Sequence, residues 1–138
     1  MTSHAQTAQA IRNELKAAFP SIKFTVRSES FSGGDSVRIS YTNGVPYELV
    51  QNIVGKYQYG NFDGMTDCYN NDNTDASIPQ VKYVQVSRDI SKEIKEEVKN
   101  KIAAEYGITD VNDENQWMKT FHYWSDQVMW RELSTMTF

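Results

Sequence analysis

Between Lys56 and Asp67 the chain reads Lys-Tyr-Gln-Tyr-Gly-Asn-Phe-Asp-Gly-Met-Thr-Asp, and residue types capable of chemistry gather there. Tyr57, Tyr59 and Phe62 offer ring faces for stacking on bases, and Lys56, Arg27 and Arg38 offer phosphate contacts. Asp63 and Asp67 supply carboxylates for proton transfer or a hard cation. The segment has neither helical nor strand period, so it needs a specific backbone path of the kind functional loops take. Each chemistry has a plainer competitor. The tyrosines can instead pack beneath a sheet, their hydroxyls bonded to loop backbone, and staple the loop to the domain. That reading carries more weight, because the neighbouring aspartates and a formal net charge of −4 repel a polyanion. Asp63, Asp67, Asp72 and Asp75 lack the alternate spacing and terminal glutamate of an EF-hand, and turn chemistry accounts for them. No metal is expected.

A second candidate is Ser32-Gly33-Gly34-Asp35-Ser36. Successive N–H groups in a glycine turn can cradle an anion, here through Ser32, Gly33, Gly34 and Ser36. No lysine follows at P-loop spacing and a strand pattern follows instead of a helix, so a hairpin turn is the simpler reading. Catalytic groups are scarce. His4 lies near a terminus, His122 sits in an aromatic helix, and Cys68 has no basic neighbour in sequence to lower its pKa. A Tyr–Asp acid–base pair from the central loop stays open, yet no residue earns a catalytic assignment and no cofactor is implied.

The elements that must position these groups follow from periodicity. With 138 residues the chain has room for one core, and a single cysteine excludes an internal disulfide or a cysteine zinc cluster. No apolar run approaches a membrane span, and the start lacks a signal-peptide pattern, so the expected location is the cytoplasm. Ser3-x-x-Gln6 opens a helix with Ala8, Ile11 and Leu15 on one face, and Pro20 stops it. Ile22–Arg27 and Val37–Tyr41 alternate as an antiparallel pair around the glycine turn. Pro46 starts a second helix that Gly55 is placed to end in a left-handed cap. The loop to Pro79 is expected to hold short strand-like pieces and a mobile, asparagine-rich tip. Val81–Ser87 reads as a third strand, apolar on both faces and so placed inside the sheet. Ser91 caps a third helix closed by Gly107, and one fourth helix begins near Asp113. The class is α+β: a small, mainly antiparallel sheet of three or four strands with helices packed on it, in the order α-β-β-α-loop-β-α-α. Residues 1–138 form a single domain in this reading.

The last helix is over-supplied with large apolar residues. Trp117, Phe121, Trp124, Val128 and Leu133 make one stripe for burial, while Met118, Tyr123, Met129 and Trp130 fall partly elsewhere. Trp, Tyr and Met are enriched at interface centres, so Trp117, Phe121, Trp124, Met129 and Trp130 are candidate partner contacts. The partner is either a second copy, giving a homodimer, or a target protein. A helix buried between the sheet and the third helix explains the same residues equally well.

Ile11-Arg-x-Glu-Leu-Lys16, Phe19-Pro20, Lys23-Phe-x-Val-Arg27 and Ser30-Phe-Ser-Gly-Gly-Asp-Ser-Val37 form an ordered series with Val54-Gly-Lys-Tyr-Gln-Tyr-Gly60, Phe62-Asp-Gly-Met65 and Asp67. Val81-Lys-Tyr-Val84 and Ser87-Arg88 continue it. Together these resemble the large polyvalent protein-associated domain 29 family, over roughly residues 8–90, with residues 91–138 as a helical extension. The resemblance implies a phage or plasmid origin and a delivery or counter-defence setting, and it carries no catalytic residues. The expectation is a non-enzymatic accessory protein, a counter-defence inhibitor (anti-CRISPR or anti-restriction) that binds a host protein such as a defence complex. The alternative is a nucleic-acid or nucleotide binder using the glycine turn and the tyrosine loop. No membrane partner is expected.

Overall fold

The computed structural model describes residues 3–138. The elements are α1 (Ser3–Ala18), β1 (Thr25–Phe31), β2 (Gly34–Thr42), α2 (Tyr47–Val54), a 3₁₀ turn (Gly55–Tyr57), β3 (Asn61–Asp63), β4 (Cys68–Asn70), β5 (Tyr83–Asp89), α3 (Lys92–Glu105), α4 (Glu114–Phe121) and α5 (Ser125–Ser134). The fold is α+β. β1 and β2 form the expected hairpin, Val26 opposite Ile39 and Arg27 opposite Arg38, with Phe31 and Gly34 flanking a two-residue turn.

β5 departs from expectation in two ways. It pairs with β2 in parallel, making the sheet mixed, and in the order β1-β2-β5 it is an edge strand, leaving β2 in the centre. The apolar residues on both faces of Val81–Ser87 have a different cause. Val84 and Val86 join the core beside Val37 and Ile39, whereas buried Val81 lies before the strand and pairs with the central loop. The Val81 N–H donates to the Tyr57 carbonyl at 2.8 Å, and the Tyr59 N–H donates to the Val81 carbonyl at 3.1 Å.

Two apolar clusters divide the molecule. The first joins Ala8, Ile11 and Leu15 of α1 to Val26, Val37, Ile39 and Tyr41 of the sheet, Val50 and Val54 of α2, and Tyr57. The second joins Val98, Ile102 and Ala103 of α3 to Ile108, Trp117, Val128, Met129 and Leu133. Arg88 links them. Its side chain emerges on the core face of β5 and donates to four carbonyls: Asn43 (2.9 Å), Gly44 (3.2 Å), Leu133 (3.0 Å) and Met136 (2.7 Å). Its guanidinium also lies 5.5 Å from the Phe138 ring centroid. Desolvation lowers the Arg88 pKa, opposed by the nearby Tyr41. The fixed fork of donors matches carbonyls arriving from two separate segments, which a point-charge lysine cannot reproduce.

The expected single fourth helix is two. His122 adopts a left-handed conformation (φ 63°), ends α4, and turns the chain toward α5. Ser125, fully buried, donates both its N–H (2.9 Å) and its hydroxyl to the Glu114 carboxylate, which fastens the start of α5 to the first turn of α4. Those hydrogen bonds hold the Glu114 pKa below its ordinary value. Gly55 also differs from expectation. It keeps right-handed geometry (φ −57°) because the chain continues into the 3₁₀ turn. Ser91 caps α3 as anticipated, accepting from the Ile94 N–H, and Gly107 follows that helix at φ +74°.

Candidate functional site

The central loop holds the short pieces its composition suggested, the 3₁₀ turn and the β3–β4 hairpin. Its conformation is fixed by side chains. Gly60 passes so close to β4 that a Cβ there would meet the Asn70 carbonyl oxygen at 2.2 Å. Asn61 donates to Asp72 at 2.9 Å, and Asn73 donates its side-chain amide to the Gln58 carbonyl at 2.9 Å. The asparagine-rich tip is therefore bonded back onto the loop. Asp63 and Asp75 accept local N–H groups from Met65 and Ser77 in turns of their own, and Asp72 accepts from the Asn61 side chain. Among the described residues no three acidic, histidine or cysteine side chains cluster at metal-binding distance.

The signature aromatics split between two faces. Tyr57 is buried and donates its hydroxyl to the Glu14 carboxylate of α1 at 2.5 Å, with Lys56 pairing to the same carboxylate at 2.7 Å. The expected hydroxyl-to-backbone staple is thus a hydroxyl-to-carboxylate one at Tyr57. Burial, then Glu14, push the Tyr57 pKa well above its ordinary value. Burial opposes ionisation of Glu14, but the hydrogen bonds from Lys56 and Tyr57 outweigh it and hold its pKa below the usual glutamate value. A carboxylate depressed in the folded state stabilises above its unfolded pKa, and that contribution fades as pH falls through the folded one. We therefore expect Glu14→Gln to cost about 0.5–1 kcal/mol at about pH 7. In urea-unfolding midpoints the gap from the parent should narrow as pH falls below the ordinary glutamate range.

Tyr59 and Tyr69 belong to the other face. Their rings meet edge to face at 5.9 Å, Tyr69 meets Tyr83 the same way at 5.6 Å, and Tyr83 stacks on Phe31 at 6.3 Å. The Tyr69 hydroxyl donates to the Lys82 carbonyl, and burial first, then neighbouring tyrosines, push the Tyr69 pKa up to about 12. Phe62 and Met65 are exposed on the β3–β4 hairpin.

The glycine turn is occupied by Lys82. A Cβ on Gly34 (φ +146°) would meet the Lys82 stem at 2.6 Å, the Lys82 ammonium donates to the Gly33 carbonyl at 2.8 Å, and Asp35 accepts the Lys82 N–H at 2.9 Å. Gly34 thus serves close passage of a lysine. Ser36 is buried, its hydroxyl 3.5 Å from a Glu29 carboxylate oxygen.

At the C-terminal end the five candidate partner residues part company. Trp117 is 0% exposed, donates its indole N–H to the Val111 carbonyl at 3.1 Å, and stacks on Phe121, which also meets Tyr106 at 4.7 Å. Trp117 is therefore core, and a surface role for it is corrected. The break at His122 takes Trp124 out of the stripe assigned to burial. Trp124 caps α5 at 50% exposure, and Trp130 stands 75% exposed. Met129, assigned to the outer face, is buried.

Trp130 borders a groove of about 1130 Å³ between α2, α3 and α5. Met129, Leu133 and Ile90 supply buried or half-buried apolar surface in it, and Tyr47 and Leu49 of α2 are exposed along it. Acidic Glu48, Asp89, Glu96 and Asp126 line it against Lys95 and Lys99, Arg88 being engaged by carbonyls. The sequence places Leu49 with Val50, Ile53 and Val54 on the apolar face of the second helix; Val50 and Val54 are buried, whereas Leu49 is exposed along the groove.

Among the described residues no helix is long and apolar enough to cross a membrane. The family model of large polyvalent protein associated domain 29 matches residues 2–116, so the match runs through α3 into α4 and stops before Trp117. No curated protein and no solved structure matches the chain.

Proposed function

The chain belongs to the large polyvalent protein associated domain 29 family, a phage-associated polyvalent-protein module, and from that footing we propose that it works without catalysis, by binding another protein. The observation that carries this reading is Trp130, three-quarters exposed beside an apolar groove. A tryptophan left in water forgoes a large burial gain, and such residues dominate interface energetics. The occupant we assign is an apolar helix of a partner protein, flanked by basic residues that match the acidic excess along the groove. The finer reading is a counter-defence inhibitor acting on a host defence protein in the cytoplasm, supported by the family's phage setting.

A pull-down from host lysate tests it, comparing the parent with Trp130→Ser, Leu49→Ser and, as a control away from the groove, Phe62→Ser. One stoichiometric protein lost with the first two and kept with the third is the expected result, each groove change weakening binding about 30-fold or more. Retention by the groove variants, or recovery of nucleic acid without protein, overturns the reading. Concentration-dependent dimerisation abolished by Trp130→Ser in sedimentation would replace the partner with a second copy.

A further inference from the structure

α1 and α2 both pack on one face of the three-stranded sheet, the face carrying Val26, Val37, Ile39, Tyr41 and Val84. The opposite face alternates out to water through Arg27, Arg38, Ser40, Gln85 and Ser87, all exposed. On it Arg27 and Arg38 stand directly opposite each other across β1 and β2. Like charges in register destabilise a strand pair, so folding alone gives no reason for two arginines there. Among the described residues Arg38 pairs with Glu29 alone, at 3.5 Å, in an ion pair with both side chains more than half exposed, which contributes little. Arg27 has no partner among the described residues. At the turn end of this face Phe31, 45% exposed, stacks on Tyr83 with planes 20° apart, and Lys82 lies over the Tyr83 ring at 5.6 Å.

We propose that this face binds single-stranded nucleic acid, with Phe31 and Tyr83 as a base-stacking platform and Arg27 and Arg38 holding successive phosphates. Aromatic rings beside a short cationic strip are what an unpaired strand requires, because its base faces and its backbone are both open. A duplex hides its base faces, so the aromatic pair gives it nothing. Glu29 on the same face and Asp89 at its far end keep the affinity modest and confine the phosphate track to the two arginines. None of Arg27, Arg38, Phe31 and Tyr83 lines the helical groove, and the groove variants leave them intact.

Fluorescence anisotropy with a labelled oligothymidylate of about a dozen nucleotides tests the assignment, against a duplex of equal length and inorganic polyphosphate. Saturable single-strand binding is expected, with log affinity falling against log salt at a slope of about −1.4 for two phosphate contacts. The double variant Arg27→Ala/Arg38→Ala should flatten that slope toward zero. Phe31→Ala should weaken binding about tenfold with the slope unchanged. All three positions are exposed, and circular dichroism checks that the variants fold. Absence of binding at low salt overturns the proposal, as does a slope unaltered in the double variant. So does equal binding of duplex or polyphosphate that ignores Phe31→Ala.

Discussion

Arg88→Met should lower stability by about 3 kcal/mol and free the C-terminal segment from the sheet. The guanidinium donates to the Asn43 and Gly44 carbonyls on one side and the Leu133 and Met136 carbonyls on the other, so its loss removes four hydrogen bonds at the junction of the two clusters, although Gly44 keeps the Phe138 N–H and Leu133 the Met136 N–H. Methionine keeps the length and apolar stem, which isolates the hydrogen bonds from packing. Other joints remain. Phe138 donates its N–H to the Gly44 carbonyl at 2.7 Å, and Asn43 accepts the Ser91 N–H at 2.9 Å. The segment should therefore loosen without global collapse. Hydrogen exchange reads this directly: protection should fall across α5 while β1 and β2 hold. Arg88→Lys should recover only part of the loss, since an ammonium has three donors at one point where four spread carbonyls wait. Equal protection of α5 in parent and methionine variant would remove Arg88 from its role as the link.

Trp117→Ala should cost about 3–5 kcal/mol, the range for deleting a fully buried large aromatic, and it should fall on the second cluster. Trp117 stacks on Phe121, takes the Lys99 ammonium over its ring at 5.8 Å, and anchors the loop before α4 through the Val111 carbonyl. Removing it opens a cavity among α3, α4 and α5 and leaves that carbonyl without its donor. Since total stabilities of such domains are about 5–15 kcal/mol, the helical half should lose its cooperative transition while the sheet half keeps one. Thermal unfolding followed by near-ultraviolet and far-ultraviolet dichroism distinguishes the two. A change under about 1 kcal/mol would mean that α4 contributes little to the second cluster.

Much of this architecture was legible in the residues. The stripe of α1 and the alternation of β1 and β2 report local burial, and periodicity reads local burial well. Ser91 and Gly107 announced the ends of α3 because capping is also a local interaction. What stayed hidden was non-local. The parallel seat of β5 depends on which strand it meets across more than one intervening element, and its own pattern suited an interior strand as well as an edge with one buried neighbour in Val81. The division of α4 from α5 turns on the left-handed backbone at His122, a conformation that is uncommon outside glycine and that no periodicity announces. That missed turn reversed the assignment of the C-terminal aromatics. Met129 went inside and Trp124 outside, while Trp117, Val128 and Leu133 stayed in the buried stripe and Trp130 came to stand beside a groove whose other wall is α2. In the central loop, Tyr57 reads correctly as packing, while the carboxylate it finds comes from Glu14, 43 residues away.

Photo-crosslinking inside host cells tests the central claim most directly. A benzophenone amino acid placed at Trp130, and separately at Phe62 on the hairpin, samples the groove and a distant exposed site in the same protein. A single host-protein adduct is expected from position 130, lost when Leu49→Ser is added, and none from position 62. An adduct from position 62 alone, or only chain-to-chain adducts from position 130, would contradict it.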